Sequence, residues 1–302
     1  SVRYKECLDI GKTERECVKL GKKMADAWGY KNLEDCISEG TTLKAGDKVY
    51  ADCMGKAFVM FQLGKKPLEE GMNILGAHID SPRIDVKQNP LYESEGMAYL
   101  DTHYYGGIKK YQWVTVPLAI HGVVAKKDGT VVDINIGEDD NDPVFCVTDL
   151  LIHLAQEQMQ KNAAKVIEGE NLDILVGSIP LDGAEKDAVK ANVLKIVGKK
   201  YGIEEEDFLS AELEVVPAGR AREAGFDRSM IISYGQDDRV CAYTSLVAML
   251  ETKNMTRTAC CLLVDKEEIG SVGATGMQSR FFENAVAEVL NLLGQYSDLT
   301  LR

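Results

Sequence analysis

The stretch N-I-L-G-A-H-I-D-S-P, residues 73–82, places an imidazole and a carboxylate directly after an apolar run. The run before His78 is short enough to be a buried strand. Pro82 prevents that strand from continuing, because proline has no backbone N–H to donate to a neighbour. We therefore expect His78 and Asp80 to lie at the carboxyl end of a strand.

Two further apolar runs in the sequence end in acidic residues. Y-G-Q-D-D-R-V contains Asp237 and Asp238, and L-L-V-D-K-E-E-I-G-S contains Asp265, Glu267 and Glu268. Functional groups gather at the carboxyl ends of strands in an open α/β sheet, so the three clusters are expected to converge. Like charges at one sheet edge are unfavourable unless a cation neutralises them. The pattern predicts a site for a divalent metal such as zinc, manganese or cobalt.

Each cluster taken alone has a simpler interpretation. A single histidine after an apolar run is often a hydrogen-bonded core or surface residue, D-D-R is compatible with a helix N-terminus, and E-E-I-G is compatible with a charged loop. Of the other histidines, His103 is expected in a loop, His121 in a sheet and His153 on the buried face of a helix. Either of the first two is also a candidate to line a substrate site.

Composition excludes some classes of function. The chain of 302 residues is 45% hydrophobic and carries a formal charge of −13, and it has no basic stretch interleaved with aromatics that would neutralise nucleic-acid phosphates. It contains no apolar run of about 18 residues that would span a membrane, and its first residues lack the profile of a signal peptide. Its eight cysteines form no C-x-x-C pair and are expected to be reduced thiols, which favours the cytoplasm.

The pattern along the chain predicts one α/β domain interrupted by a mostly β module. A helical period covers the first 30 residues, and the last third alternates strands and helices. Alternating apolar residues between them indicate antiparallel strands, and F-C-V-T-D-L-L-I-H-L-A-Q-E-Q is predicted as a helix capped by Thr148. The predicted host domain is 1–88 plus 228–302, and the predicted insertion is 89–227.

These motifs resemble those of the M18 aminopeptidases. The matching stretches are G-A-H-I-D-S-P, H-Y-Y-G-G-I-K-K-Y-Q-W-V-T-V-P-L-A-I-H-G, G-Q-D-D-R-V-C-A-Y and D-K-E-E-I-G-S-V-G-A-T-G, in the family's order up to residue 276. The resemblance implies a mixed-sheet, zinc-exopeptidase-like catalytic domain with an inserted, mostly β oligomerisation domain. It also implies peptide substrates and a homo-oligomer built from dimers, which in the family reaches a dodecamer.

The resemblance assigns a role to each motif residue. His78 would bind the first of two divalent cations, and Asp80 would orient its imidazole. Asp237 would bridge both cations, Glu268 would bind the second, and Glu267 would be the general base. The cations would be zinc, with manganese or cobalt as alternatives, and the reaction would be hydrolysis of the N-terminal peptide bond of a peptide.

Two ligands of the family pattern are not recognisable in the sequence. They are an Asp downstream of the Glu-Glu pair and a His near the C-terminus, and we expect the native chain to continue past Arg302 to supply them. The alternative hypothesis is a non-catalytic assembly or peptide-binding paralogue that lacks a complete metal site. Asp149 stands where animal members have a His, so a preference for acidic N-terminal residues is not implied.

Overall fold

The chain divides into two compact units. The structure, a computed structural model, describes residues 2–301. Unit 1 comprises Ser1–Ser81 and Ala221–Arg302, and unit 2 comprises Pro82–Arg220. The boundaries expected from sequence lie a few residues later along the chain at both junctions. None of the helices in residues 2–301 is long and apolar enough to cross a bilayer.

The regular elements are numbered here in chain order. The α-helices are α1 (Val2–Ile10), α2 (Glu14–Ala27), α3 (Leu33–Ser38), α4 (Ala188–Tyr201), α5 (Gln236–Glu251), α6 (Phe281–Leu292) and α7 (Asp298–Leu301). The strands are β1 (Lys31–Asn32), β2 (Lys48–Cys53), β3 (Ala57–Gln62), β4 (Asn73–His78), β5 (Arg83–Ser94), β6 (Met97–Tyr105), β7 (Leu118–Ala125), β8 (Val131–Ile136), β9 (Cys146–Val147), β10 (Ile174–Gly177), β11 (Ala211–Pro217), β12 (Arg222–Ala224), β13 (Met230–Ile232) and β14 (Ala259–Val264).

Unit 1 is built on a five-stranded mixed sheet with the order β1-β2-β3-β14-β4. Strand β14 is antiparallel to β3 but parallel to β4, and Val264 at the end of β14 pairs with His78 at the end of β4. The carboxyl ends of these two strands are therefore level with each other. The two loops that follow them begin side by side, as the sequence pattern requires for a shared site.

Both faces of this sheet are covered by buried apolar side chains. In β3, Phe58 and Met60 pack into one cluster with residues of α2 and α5, whereas Val59 and Phe61 pack into another with residues of α3 and α6. This alternation follows from the two-residue period of a strand. Each fully buried side chain of this size contributes about 1.5–3 kcal/mol, so β3 and β14 form a rigid support for the loops at their ends.

Strand β4 differs from the prediction of a buried strand. It is the edge strand of the sheet, and Ile74 and Leu75 are 50% and 40% exposed within the described residues. Its apolar composition predicts burial, but at the edge of the sheet in the described part of the chain these side chains stay exposed. Only Ala77 and the residues just beyond β4 are buried.

The predicted helical period of the first 30 residues is two helices in the structure. The first, α1, ends at Ile10, and Thr13 caps α2, because its hydroxyl accepts the backbone N–H of Glu16 and the Glu16 carboxylate accepts the N–H of Thr13. Leu8 and Val18 are buried, whereas Trp28, directly after α2, is 43% exposed.

Unit 2 contains a seven-stranded sheet with the order β8-β7-β11-β5-β6-β10-β9. All of its paired strands are antiparallel, which confirms the prediction of an antiparallel module. Helix α4 covers part of the region predicted as helix from E-K-D-A-V-K-A-N-V-L-K-I-V-G.

The helix predicted for F-C-V-T-D-L-L-I-H-L-A-Q-E-Q is wrong. Cys146 and Val147 pair with β10 as strand β9, and the following residues form turns, so Thr148 caps no helix. His153 is exposed rather than buried on a helix face. Pairing with the sheet satisfies the first backbone groups of this segment, and the leucines after it find no surface in unit 2 that buries them.

Candidate metal centre

His78 ends strand β4 with its imidazole mostly buried. Its Nδ1 lies 3.0 Å from the backbone oxygen of Asp80 and 3.4 Å from the carboxylate Oδ1 of the same residue. In the neutral imidazole these contacts favour the tautomer with the proton on Nδ1, which leaves the lone pair on Nε2. Burial alone would lower the pKa of His78, but the hydrogen bond and charge of Asp80 outweigh it and raise the pKa to about 9.

Asp80 connects the end of β4 to the loop after β14. Its carboxylate is fully buried, and its two oxygens accept the backbone N–H groups of Glu267 and Glu268, each at 3.2 Å. A single side chain therefore orients the imidazole and also holds the start of the loop that carries both glutamates. The sequence analysis assigned only the first of these tasks to Asp80.

The glutamate pair lies in a short 3-10 helix, Glu267–Ile269. The Oε2 atom of Glu267 is 3.7 Å from the Nε2 atom of His78, and one ligand atom each from His78, Glu267 and Glu268 lie within 4.8 Å of one another. Burial raises the pKa of Glu268, the charge of His78 lowers it, and the neighbouring carboxylates of Asp80, Glu267 and Asp237 raise it further. The protein thus holds several acids close together, and the repulsion between their negative charges makes ionisation of Glu268 less favourable.

Asp237 reaches the same place from the start of α5. Its Oδ1 lies 3.4 Å from the Nε2 atom of His78, and its side chain is 90% exposed. The backbone at Asp237 and Asp238 is not helical, and Ser81 donates a hydrogen bond from its hydroxyl to the carbonyl of Asp237 at 2.9 Å. The turn therefore aims the Asp237 carboxylate at the imidazole instead of along the helix.

This donor set fits a divalent transition metal. One imidazole nitrogen and the carboxylates of Asp237, Glu267 and Glu268 are ligand types that zinc, manganese and cobalt accept. Among the described residues, His78 is a cationic partner of these carboxylates. The structure brings together all five residues selected from the sequence, and their individual roles remain predictions.

Asp265, which belonged to the third sequence cluster, does not face the other acids. It is fully buried, and its carboxylate accepts hydrogen bonds from the hydroxyl of Thr275 at 2.6 Å and from the backbone N–H of Lys266 at 2.8 Å. The remaining histidine candidates belong to unit 2. His103 stacks on Tyr104 at 5.3 Å between ring centroids, and a substrate role for it stays a prediction.

His121 is buried in β7, as expected for a sheet residue. Its Nε2 lies 3.2 Å from the Oε1 atom of Glu138, and the side chain is 1% exposed. This contact satisfies one ring nitrogen within unit 2. A role for His121 in lining a substrate site also stays a prediction.

Arg239 is a functional neighbour that the sequence analysis did not select. It is fully buried, and its Nη2 donates to the carbonyls of Lys12 at 2.7 Å and Ile79 at 3.3 Å. Ile79 separates the two motif residues of the β4 end, so this arginine ties that end to the start of α5. The available signal was an arginine directly after two acids at the start of an apolar helix, where a charge needs buried partners.

Comparison with known proteins assigns the chain to a family. The family model for aminopeptidase I zinc metalloproteases (M18) matches residues 8–302. A curated relative from Clostridium acetobutylicum, named "Probable M18 family aminopeptidase 1", is 64% identical over 301 residues, which cover 99% of this chain and 65% of the relative. The chain thus spans about two thirds of that relative's length.

Solved structures agree with this assignment. The crystal structure of the M18 aminopeptidase from Thermotoga maritima superposes with a TM-score of 0.93 at 47% identity, covering 99% of this chain and 65% of that one. Aminopeptidase I from Clostridium acetobutylicum gives 0.90 at 59% identity, covering 99% and 66%. The mixed-sheet, zinc-exopeptidase-like fold expected from the resemblance is confirmed. The chain belongs to the M18 peptidase family of aminopeptidase I zinc metalloproteases.

Proposed function

We propose that this protein is a dinuclear, metal-dependent aminopeptidase that hydrolyses the N-terminal peptide bond of peptides. The observation that carries the proposal is the convergence of His78, Asp237, Glu267 and Glu268 at the level ends of two parallel strands. Family membership supports the same reaction class.

The side chains fall into two classes: residues that would bind the cations, and one residue that would transfer protons. The His78 Nε2 atom and Glu268 would each hold one cation, and Asp237 would lie between the two. Two divalent cations, most simply zinc and alternatively manganese or cobalt, supply an acidified water and a polarised scissile carbonyl when bound. Asp80 keeps the imidazole proton on Nδ1, so the opposite nitrogen remains available.

Glu267 is the group proposed to move protons. Its carboxylate is 55% exposed, and its backbone rather than its side chain is held by Asp80. The side chain can therefore accept a proton from the attacking water and deliver it to the nitrogen of the leaving amine.

We further propose that the protein is a homo-oligomer built from dimers through unit 2. The strands β8 and β9 end the seven-stranded sheet in the described residues, and an edge strand favours pairing with another chain. The mApe1 structure from S. cerevisiae, 19% identical to this chain, is a dodecamer.

All eight cysteines are free thiols, which supports a cytoplasmic location.

The test of the proposed activity is hydrolysis of aminoacyl p-nitroanilides by the purified protein. Chelation should abolish hydrolysis, and added zinc, manganese or cobalt should restore it. Glu267→Gln should lower kcat by about 100-fold to 10,000-fold, because the base is lost. The matched control, Glu283→Gln, changes an exposed glutamate of α6 and should leave kcat unchanged.

Two results would refute the activity. One is full hydrolysis by metal-free protein, and the other is full hydrolysis by Glu267→Gln. Peptide binding without hydrolysis by metal-loaded wild-type protein would favour the paralogue hypothesis instead.

A further inference from the structure

The loop of residues 265–276, which carries both glutamates of the candidate metal centre, is closed at its base by its own ends. The backbone N–H of Asp265 donates to the carbonyl of Thr275 at 3.3 Å, and the Thr275 hydroxyl donates to the Asp265 carboxylate at 2.6 Å. Lys266 and Ser271 have positive φ angles of 69° and 63°, so the 3-10 helix Glu267–Ile269 is the one short stretch of helix between two irregular turns of this loop. The contacts at the base therefore decide where the loop lies.

A buried lysine contacts this base from the turn between β2 and β3. The Nζ atom of Lys56 lies 2.7 Å from the Oε1 atom of Glu14 and 3.8 Å from the Oδ2 atom of Asp265. Lys56 is 5% exposed, and both carboxylates are fully buried. One ammonium thus lies between an acid of α2 and the acid that closes the loop.

The loop is held at a second place by Asp80. That carboxylate accepts the backbone N–H groups of Glu267 and Glu268, while Asp265 is held by Thr275 and Lys56. If the base moves, the two amides move with it, because only one residue separates Asp265 from Glu267. The side chains of the metal centre then lose their alignment with the imidazole.

We propose that Lys56 is a positioning residue for the candidate metal centre. Its ammonium fixes Asp265 and, through it, the loop 265–276, so that the carboxylates of Glu267 and Glu268 stay beside His78. Lys56 itself lies beneath the loop and touches none of these three side chains in the contacts described. The part of this proposal that concerns metal affinity rests on the proposed function, whereas the part that concerns loop order does not.

The first test is hydrogen–deuterium exchange of the metal-free protein, read on peptides that cover 265–276. Lys56→Met should speed exchange at the Glu267 and Glu268 amides severalfold, because their geometry with Asp80 is loosened. The matched control is Lys22→Met, which removes a partly exposed lysine paired with Asp52 at 2.6 Å in the same unit. The control should leave exchange in the loop unchanged.

A milder variant covers the case in which Lys56→Met does not fold. Thr275→Val keeps the side-chain shape and removes only the hydroxyl that donates to Asp265. It should speed exchange in the same loop by a smaller factor. Unchanged loop exchange in a folded Lys56→Met, or in Thr275→Val when the first variant does not fold, would overturn the proposal. Among amides that exchange by local opening, acceleration no greater in the loop 265–276 than elsewhere in unit 1 would overturn it as well.

The second test is zinc affinity, measured by competition with a chromophoric chelator. Lys56→Met should weaken zinc binding about tenfold to 100-fold, as loss of supporting contacts behind metal ligands does elsewhere. Lys22→Met should bind zinc as the wild type does. Wild-type protein that orders the loop but hydrolyses no peptide would refute the proposed activity and leave the exchange result standing. Equal zinc affinity in Lys56→Met and Lys22→Met would refute the role of Lys56.

Discussion

Unit 1 contains two groups of acids that lie close together but differ in how their charge is balanced. The inner group, Glu14 and Asp265, is fully buried and has Lys56 between its carboxylates. The outer group consists of Asp237, Glu267 and Glu268, which lie beside the imidazole of His78 in the described part of unit 1. The inner acids are balanced by the chain itself, and the outer acids are arranged for a cation from outside.

The difference predicts that the two groups fail in different ways when changed. Loss of an inner partner leaves a buried charge unpaired, which lowers stability. Loss of an outer acid reduces repulsion between neighbouring carboxylates, so stability is kept while metal binding and catalysis are lost.

The largest effect is expected for Glu268→Gln. Removal of a proposed ligand should lower kcat/KM for an aminoacyl p-nitroanilide at least about 100-fold. The unfolding free energy of the metal-free protein should be unchanged or slightly higher, because one of several crowded negative charges is removed. Urea unfolding and steady-state kinetics on the same preparation check both. A large loss of stability in the metal-free variant would contradict the comparison.

Lys56→Met, in contrast to Glu268→Gln, is expected to lower the stability of the metal-free protein. Breaking a buried ion pair by removing one partner should cost about 3–5 kcal/mol of unfolding free energy. Lys22→Met, whose ion pair with Asp52 is partly exposed, should cost about 1 kcal/mol or less. Urea denaturation of both metal-free variants measures the difference. Equal losses would show that the inner group is not balanced by Lys56.

Zinc should stabilise the folded protein by binding at the outer group. A ligand that binds only the folded state adds about 4 kcal/mol to the unfolding free energy when its concentration is about 1,000 times its dissociation constant. The melting temperature of the wild type should therefore rise with zinc concentration, and that of His78→Ala should rise much less. Differential scanning fluorimetry over a range of zinc concentrations measures the melting temperatures of both proteins. Parallel shifts in the two proteins would mean that zinc binds elsewhere.

Gly235→Ala should have a smaller effect that is local to Asp237. Gly235 has a φ angle of 74°, and a Cβ atom there would lie 1.5 Å from the Nη1 atom of Arg239. The buried arginine must therefore move, and a positive φ angle is unfavourable for alanine. Together these effects should lower the unfolding free energy by about 1–3 kcal/mol. Zinc affinity should fall with stability, because the turn that presents Asp237 shifts. A variant with wild-type melting temperature and zinc affinity would show that this turn is not constrained.

The sequence indicated which residues converge because each motif followed an apolar run, and their roles at a metal site stay predictions. The pairing of β4 with β14 makes their ends level, so motifs distant in sequence meet at one sheet edge. Asp265 shared the same motif but faces the interior, since side chains of successive residues point in different directions. No local pattern indicates that Lys56 balances it, because the contact joins residues far apart in the chain.

The errors have physical causes of the same kind. The apolar run of β4 was interpreted as burial, but its exposure depends on its place at the edge of the sheet. The segment with Thr148 has a helical pattern, yet its first residues pair with β10. In both cases tertiary neighbours decided the outcome, and local periodicity contains no information about them.

The most direct test of the central claim is X-ray absorption at the zinc K-edge of the zinc-loaded protein. If His78, Asp237 and Glu268 hold the metal, the first coordination sphere will contain only nitrogen and oxygen at about 2.0–2.2 Å, with the multiple-scattering signature of imidazole. That signature should weaken in His78→Ala. Sulfur scattering at about 2.3 Å would place the zinc on cysteine thiolates and contradict the account.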